Sequence, residues 1–387
     1  MTRHYGMDWL RIGAFALLIF YHIGMVFVPW NFHVKSSHIV DWATLPMLAT
    51  NAWRLTLLFV VSGYASRALL RRSSGVGGFL GNRSYRLLLP LLFGVAVIVP
   101  PQAWVELVTK HGYAGSYATF WTHDWFRFVR IAGVALPTWN HLWFVGYLWI
   151  YTMLLGLAVL VVPRIPVQRW FDRGFGGVGV LALPLAWLIA VHSWWFPMAA
   201  ETQALVGDWI AHVTFLPAFL FGFALARSEP AMAAIARWWR AAVILAVLGY
   251  AFIIGVERWW PDAGGAPRWI YPFYGAAHAV QQWAAVIALI GIAECFFNRD
   301  RPIRPLLTEA VFPFYLVHQT IIVVVMWAIL PAALPAWAEF AILVGATIAG
   351  CWFFYLIGRA IPPLRPLIGL RGGRSSALPR RTSPGVA

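Results

Sequence analysis

Ten apolar runs, each close to 20 residues and parted by short loops, decide what this chain can become. They fall near residues 9–29, 51–70, 85–103, 141–162, 177–195, 208–227, 240–258, 274–296, 308–330 and 337–358. About 20 residues at 1.5 Å each match the hydrocarbon thickness of a bilayer. A helix also satisfies its own backbone there, where no water can do so. The expectation is an all-α, polytopic integral membrane protein of about ten transmembrane helices with no separate soluble domain. Composition agrees: 61% of the 387 residues are hydrophobic and 11% charged, against roughly half and a quarter in soluble domains.

A formal charge of +15 would suggest nucleic acid in a soluble protein. Here the arginines cluster between apolar runs, so orientation explains them better and no nucleic-acid partner is expected. Alternate loops hold 22 of the 29 Lys and Arg residues. The positive-inside bias therefore puts both termini in the cytoplasm. The stretch 371–387 (RGGRSSALPRRTSPGVA) reads as a basic, disordered tail lying near anionic lipid headgroups. Cys295 and Cys351 fall in apolar runs without metal-ligand spacing, so neither a disulfide framework nor a metal is expected. GFGGVG at 174–179 has the letters of a dinucleotide loop but no preceding strand, and reads as an interfacial turn.

Ionisable groups inside spans are costly and mark function by default. The first run carries Asp8, Arg11 and His22. Eleven residues separate the Arg from the His, three turns plus about 20°, so both share one helix face about 16 Å apart along the axis. Asp8, one turn before Arg11, is placed to orient it by an i,i+3 contact. LLFVVSGY puts Ser62 and Gly63 at mid-depth, where small residues admit close helix packing. Arg83 and Arg86 share a face at the entrance to the third run and can clamp phosphates, although charge bias alone also explains them. His318 falls near mid-membrane in the ninth run, able to face His22. His33, Lys35 and His141 lie on the far side, placed to meet a ligand there. The aromatic segment 116–133 reads as an amphipathic helix on the membrane surface.

The R-IGAFALLIFY-H spacing, with LFVVSGY, the R-S-Y-R entrance, HLWFVGYL at 141–148 and VFPFYLVHQTIIV at 311–323, resembles the membrane acyltransferase family 3 over residues 5–360. FHVKSSH and YLVHQ are most similar to a subgroup that adds succinyl groups to periplasmic glucans. The resemblance implies an inner-membrane enzyme moving an acyl group, succinyl or acetyl, from cytoplasmic acyl-CoA to a hydroxyl of an envelope glycan. His22 would be the catalytic base, Arg11, Arg83 and Arg86 the acyl-CoA ligands, with Asp8, Ser62 and His318 supporting and His33, Lys35 and His141 on the acceptor side. No tightly bound cofactor is implied. A proton- or anion-coupled transporter using the same Arg and His groups stays open as the other reading.

Overall fold

The computed structural model describes residues 4–161, 166–261 and 264–372; most of the basic tail, 373–387, lies outside them. Its main helices are α1 (Tyr5–Gly24), α2 (Arg54–Arg72), α3 (Gly75–Phe93), α4 (Pro100–His111), α5 (Trp143–Val161), α6 (Val167–Phe175), α7 (Gly179–Ala190), α8 (Trp209–Leu225), α9 (Glu229–Trp259), α10 (Ile270–Phe296), α11 (Arg304–Ile329) and α12 (Ala336–Ala360). The only strands among the described residues are Arg130–Ile131 and Val134–Ala135, a two-residue antiparallel pair. The chain is an all-α, polytopic membrane protein. Among the described residues, eight helical segments are long and apolar enough to cross a bilayer. The two remaining apolar runs form α8, 17 residues long, and the pair α6 and α7, bent by 95° at Gly176–Gly177. Each run in the sequence thus has a helix.

Local chemistry sets the helix ends. Ser228 caps α9 by accepting from Ala231 N, with Pro230 in the first turn, where its missing N–H costs nothing. Between α3 and α4 the helix widens into a π turn over Gly94–Ile98, just before Pro100 and Pro101. Pro100 has no N–H to offer Ala96, and that carbonyl accepts from Trp121 Nε1 at 2.8 Å instead. Trp125 Nε1 takes the Val95 carbonyl at 3.1 Å, and the Thr320 hydroxyl takes that of Ile98 at 2.6 Å. The segment 116–133 is therefore no flat surface helix. It folds back so that Phe120 and Trp125 are fully buried, because its indoles satisfy carbonyls that the prolines leave free.

Two contacts fix the frame around the site. The first is α2 against α8, where Gly63 faces the Phe219 carbonyl and Gly222 the Val60 carbonyl; a Cβ on either glycine would fall 1.9 Å from that oxygen. The small residues at mid-depth do let the helices approach, as the sequence implies. The second is α1 beside α11, running parallel in nearly constant register. Asp8 pairs with Arg304, Arg11 bonds the Thr308 carbonyl, and His22 meets His318, at separations of 296, 297 and 296 residues. Gly222→Val should lower stability by about 1–3 kcal/mol or more, read as a fall in the thermal unfolding midpoint of the detergent-solubilised protein. Gly345→Ala, with open space around it, should leave that midpoint unchanged.

Candidate active site

The parallel pair α1–α11 brings together what the sequence placed 296 residues apart. His22 Nδ1 and His318 Nε2 are 2.9 Å apart, and His318 Nδ1 lies 2.7 Å from the Tyr315 carbonyl. A carbonyl only accepts, so His318 must carry its proton on Nδ1. Its Nε2 is then the acceptor, and His22 must donate from Nδ1. The lone pair of His22 is thereby fixed on Nε2, which has no hydrogen-bond partner among the described residues and is not sealed in the interior. A neutral imidazole with its tautomer set by a neighbour is equipped to accept a proton.

A third imidazole completes the cluster. His141 was expected at the outer surface to greet an acceptor; it is instead buried, with its ring 5.1 Å from that of His318 and 6.5 Å from that of His22. Its Nε2 donates to the carbonyls of Tyr315 and Leu316, each at 3.1 Å, and the Tyr315 hydroxyl donates back to the His141 carbonyl. That reciprocal clamp ties the start of α5 to the turn of α11 that carries His318. It leaves His141 Nδ1 buried and without a partner.

Toward the far side, a polar ladder crosses between helices. His33 Nδ1 meets Glu106 at 2.6 Å, and Gln319 Nε2 donates to His33 Nε2 and to Gln102 Oε1, each at 3.0 Å. Gln102 also accepts from Asn140 at 2.9 Å and donates to Thr320 at 2.6 Å. Gln102, Glu106 and Gln319 were missed by sequence reasoning. The signal was there in Gln102 and Glu106, four apart on one face of α4. Lys35 is not free to meet a ligand, since its ammonium donates to the carbonyls of Met25, Val28 and Trp30. It holds the chain that leaves α1, where no helical N–H reaches those oxygens. Burial, with Lys110 nearby, pushes this ammonium down to about 8.

At the other end, arginines converge. Arg11 Nη2 donates to the Thr308 carbonyl at 3.2 Å, and Arg83 Nη2 to the Ser66 hydroxyl at 3.2 Å. Ser66 in turn donates to the Ser62 carbonyl at 2.8 Å, so Ser62 contributes backbone while Ser66 holds the arginine. Arg83 lies near enough to Arg11 and Arg86 for their like charges to matter, and Arg86 to Arg371. None of Arg11, Arg83 and Arg86 has an ion-pair partner among the described residues. The Nε atoms of Arg11 and Arg83 are buried without an acceptor. A cluster of guanidiniums without ion-pair partners has the chemistry to hold a multiply charged anion. Asp8 does not bond Arg11 as expected; its ion pair is with Arg304, at 2.7 Å, because α11 offers a guanidinium one register step away. Asp8 reaches Arg11 through its charge alone.

Comparison with known proteins decides the class. Residues 4–356 match the acyltransferase domain of acyltransferase family 3. The chain belongs to that family. The "Glucans biosynthesis protein C" of Salmonella paratyphi B, of Salmonella heidelberg and of Salmonella enteritidis PT4 are each 26% identical over 174 residues, 44% of this chain. The match spans 40% of the length of each of these relatives. No solved structure matches the chain. The protein is a membrane member of acyltransferase family 3.

If His318 sets the tautomer of its neighbour, His318→Ala should lower kcat of acyl transfer about 100-fold with KM unchanged. His318→Gln, whose carbonyl oxygen can still accept from His22 Nδ1, should retain most of the rate. Steady-state kinetics on the purified acyltransferase check both.

Proposed function

We propose that this acyltransferase takes an acyl group, succinyl or acetyl, from acyl-CoA at its arginine-rich end and gives it to a glycan hydroxyl at the His22 end. The observation that carries the reading is the common face of α1. Arg11 and His22 both turn to α11, one inside an anion-binding cluster and the other inside an imidazole cluster. They are about 16 Å apart along the helix, a span an extended pantetheine arm can cover. The positive-inside bias assigns the arginine-rich end to the cytoplasm and, with it, both termini. The bacterial inner membrane is the location consistent with an acyl-CoA donor. The glucan-modifying relatives favour an envelope glucan as acceptor, and membrane lipids surround the helices.

In the proposed step His22 Nε2 takes the proton of an acceptor hydroxyl as its oxygen attacks the thioester carbonyl. The new C–O bond forms, the C–S bond breaks, and the departing thiolate takes the proton back from His22, leaving an ester and free coenzyme A. Removing the base should cost about 10²–10⁴ in rate. Mass spectrometry of envelope glycans from deletion, complemented and His22→Ala strains tests this. Loss of an acyl substituent that only the wild-type gene restores supports the reading and identifies the acyl group. Normal acylation by His22→Ala at equal protein level overturns the mechanism, and unchanged glycans in every strain overturn the acceptor.

A further inference from the structure

Arg54 is a cation at the His22 end that the reaction above does not use. It opens α2, half-buried, and its charge reaches the His22 imidazole. The guanidinium carbon lies over the Tyr21 ring, 3.5 Å from its centroid. Nη1 donates to both the backbone and side-chain oxygens of Asn51, and the Tyr21 hydroxyl donates to that same side-chain oxygen at 3.2 Å. One edge and one face of the fork are thus held rigid. The opposite edge is unpartnered: Nε is buried with no acceptor, and Nη2 has no hydrogen-bond partner among the described residues.

An arginine is never neutralised by losing its proton, so a half-buried guanidinium without a counter-charge costs free energy until an anion arrives. No carboxylate of the described residues lies within ion-pair distance of it. Glu201, in the segment between α7 and α8, feels the charge of Arg54 without bonding it, and burial pushes its carboxyl up. The geometry of the unpartnered edge is specific. Nε and Nη2 are two parallel donors, which match the two oxygens of a carboxylate. A single developing oxyanion would use only one of them.

We infer that the Nε–Nη2 edge of Arg54 is a carboxylate subsite beside His22, which binds a carboxylate borne by one of the two substrates and so selects carboxylated over neutral ones. The inference rests on the donor and acceptor classes proposed above and adds the residue that discriminates among them. The carboxylate has two possible carriers, the far end of the acyl group or the acceptor sugar.

Two pairs of probes separate these carriers when bound to the purified protein in nanodiscs. One pair is a carboxyalkyl-CoA thioether against the alkyl-CoA thioether of equal length; the other is a methyl uronoside against the methyl glucoside. In one pair, the carboxylated member should bind wild type at least tenfold more tightly than the neutral one. Arg54→Gln should erase that preference while binding the neutral member as before, and Arg54→Lys should keep part of it. Whichever pair responds names the substrate that carries the carboxylate. Equal affinities within both pairs, or a preference that survives Arg54→Gln, would overturn the subsite. If neither thioether binds, the acyl-CoA donor falls instead, and the uronoside pair still decides the role of Arg54.

Discussion

The register between α1 and α11 is the constraint on which the rest depends. Three polar contacts along one helix pair, Asp8 with Arg304, Arg11 with the Thr308 carbonyl and His22 with His318, fix rotation and height together. Lipid tails are as apolar as Leu, so apolar packing alone specifies helix registry poorly in a bilayer. A buried ion pair or imidazole pair specifies it well, since a slip of one residue would strand each group without a partner. The same contacts that set the architecture therefore also place the arginine-rich end and the imidazole end on one line.

Several side chains that hold structure have their hydrogen-bonding capacity filled: Lys35 on three carbonyls, His318 between His22 and Tyr315, Trp121 and Trp125 on the carbonyls opened by the π turn. At the proposed site, capacity is left over. His22 Nε2, His141 Nδ1 and the Nε atoms of Arg11, Arg54 and Arg83 all lack acceptors or donors. Native interiors rarely leave such atoms unmatched; others, among them His278 Nδ1 and Gln281 Oε1, lie on α10.

Much of this was legible in the residues. The ten runs gave the helices because segment length and apolarity act locally, whatever packs beside them. Arg11 and His22 were legible as one face because the period of a helix is fixed. His141 and Lys35 read as placed to meet a ligand because a sequence shows the side on which a residue lies and not what it bonds. Whether it turns inward depends on carbonyls of α11 or of the chain beyond α1. Arg54 read as one of the few charges of the sparse side, and nothing in the sequence says that Tyr21 and Asn51 hold it with one edge unpartnered. Gln102 and Glu106 carried a readable signal in their spacing.

The sequence by itself determined the class of protein, its helical spans, the charge asymmetry between their ends and the separation of Arg11 from His22. Each follows from composition or from the fixed geometry of one helix. Only the tertiary structure decided which nitrogen of His22 is free, which arginines lack a counter-charge and which histidines join the cluster. Those properties belong to pairs of groups on different helices. In a bilayer such pairs are set by rotation and height, about which a single helix carries no information.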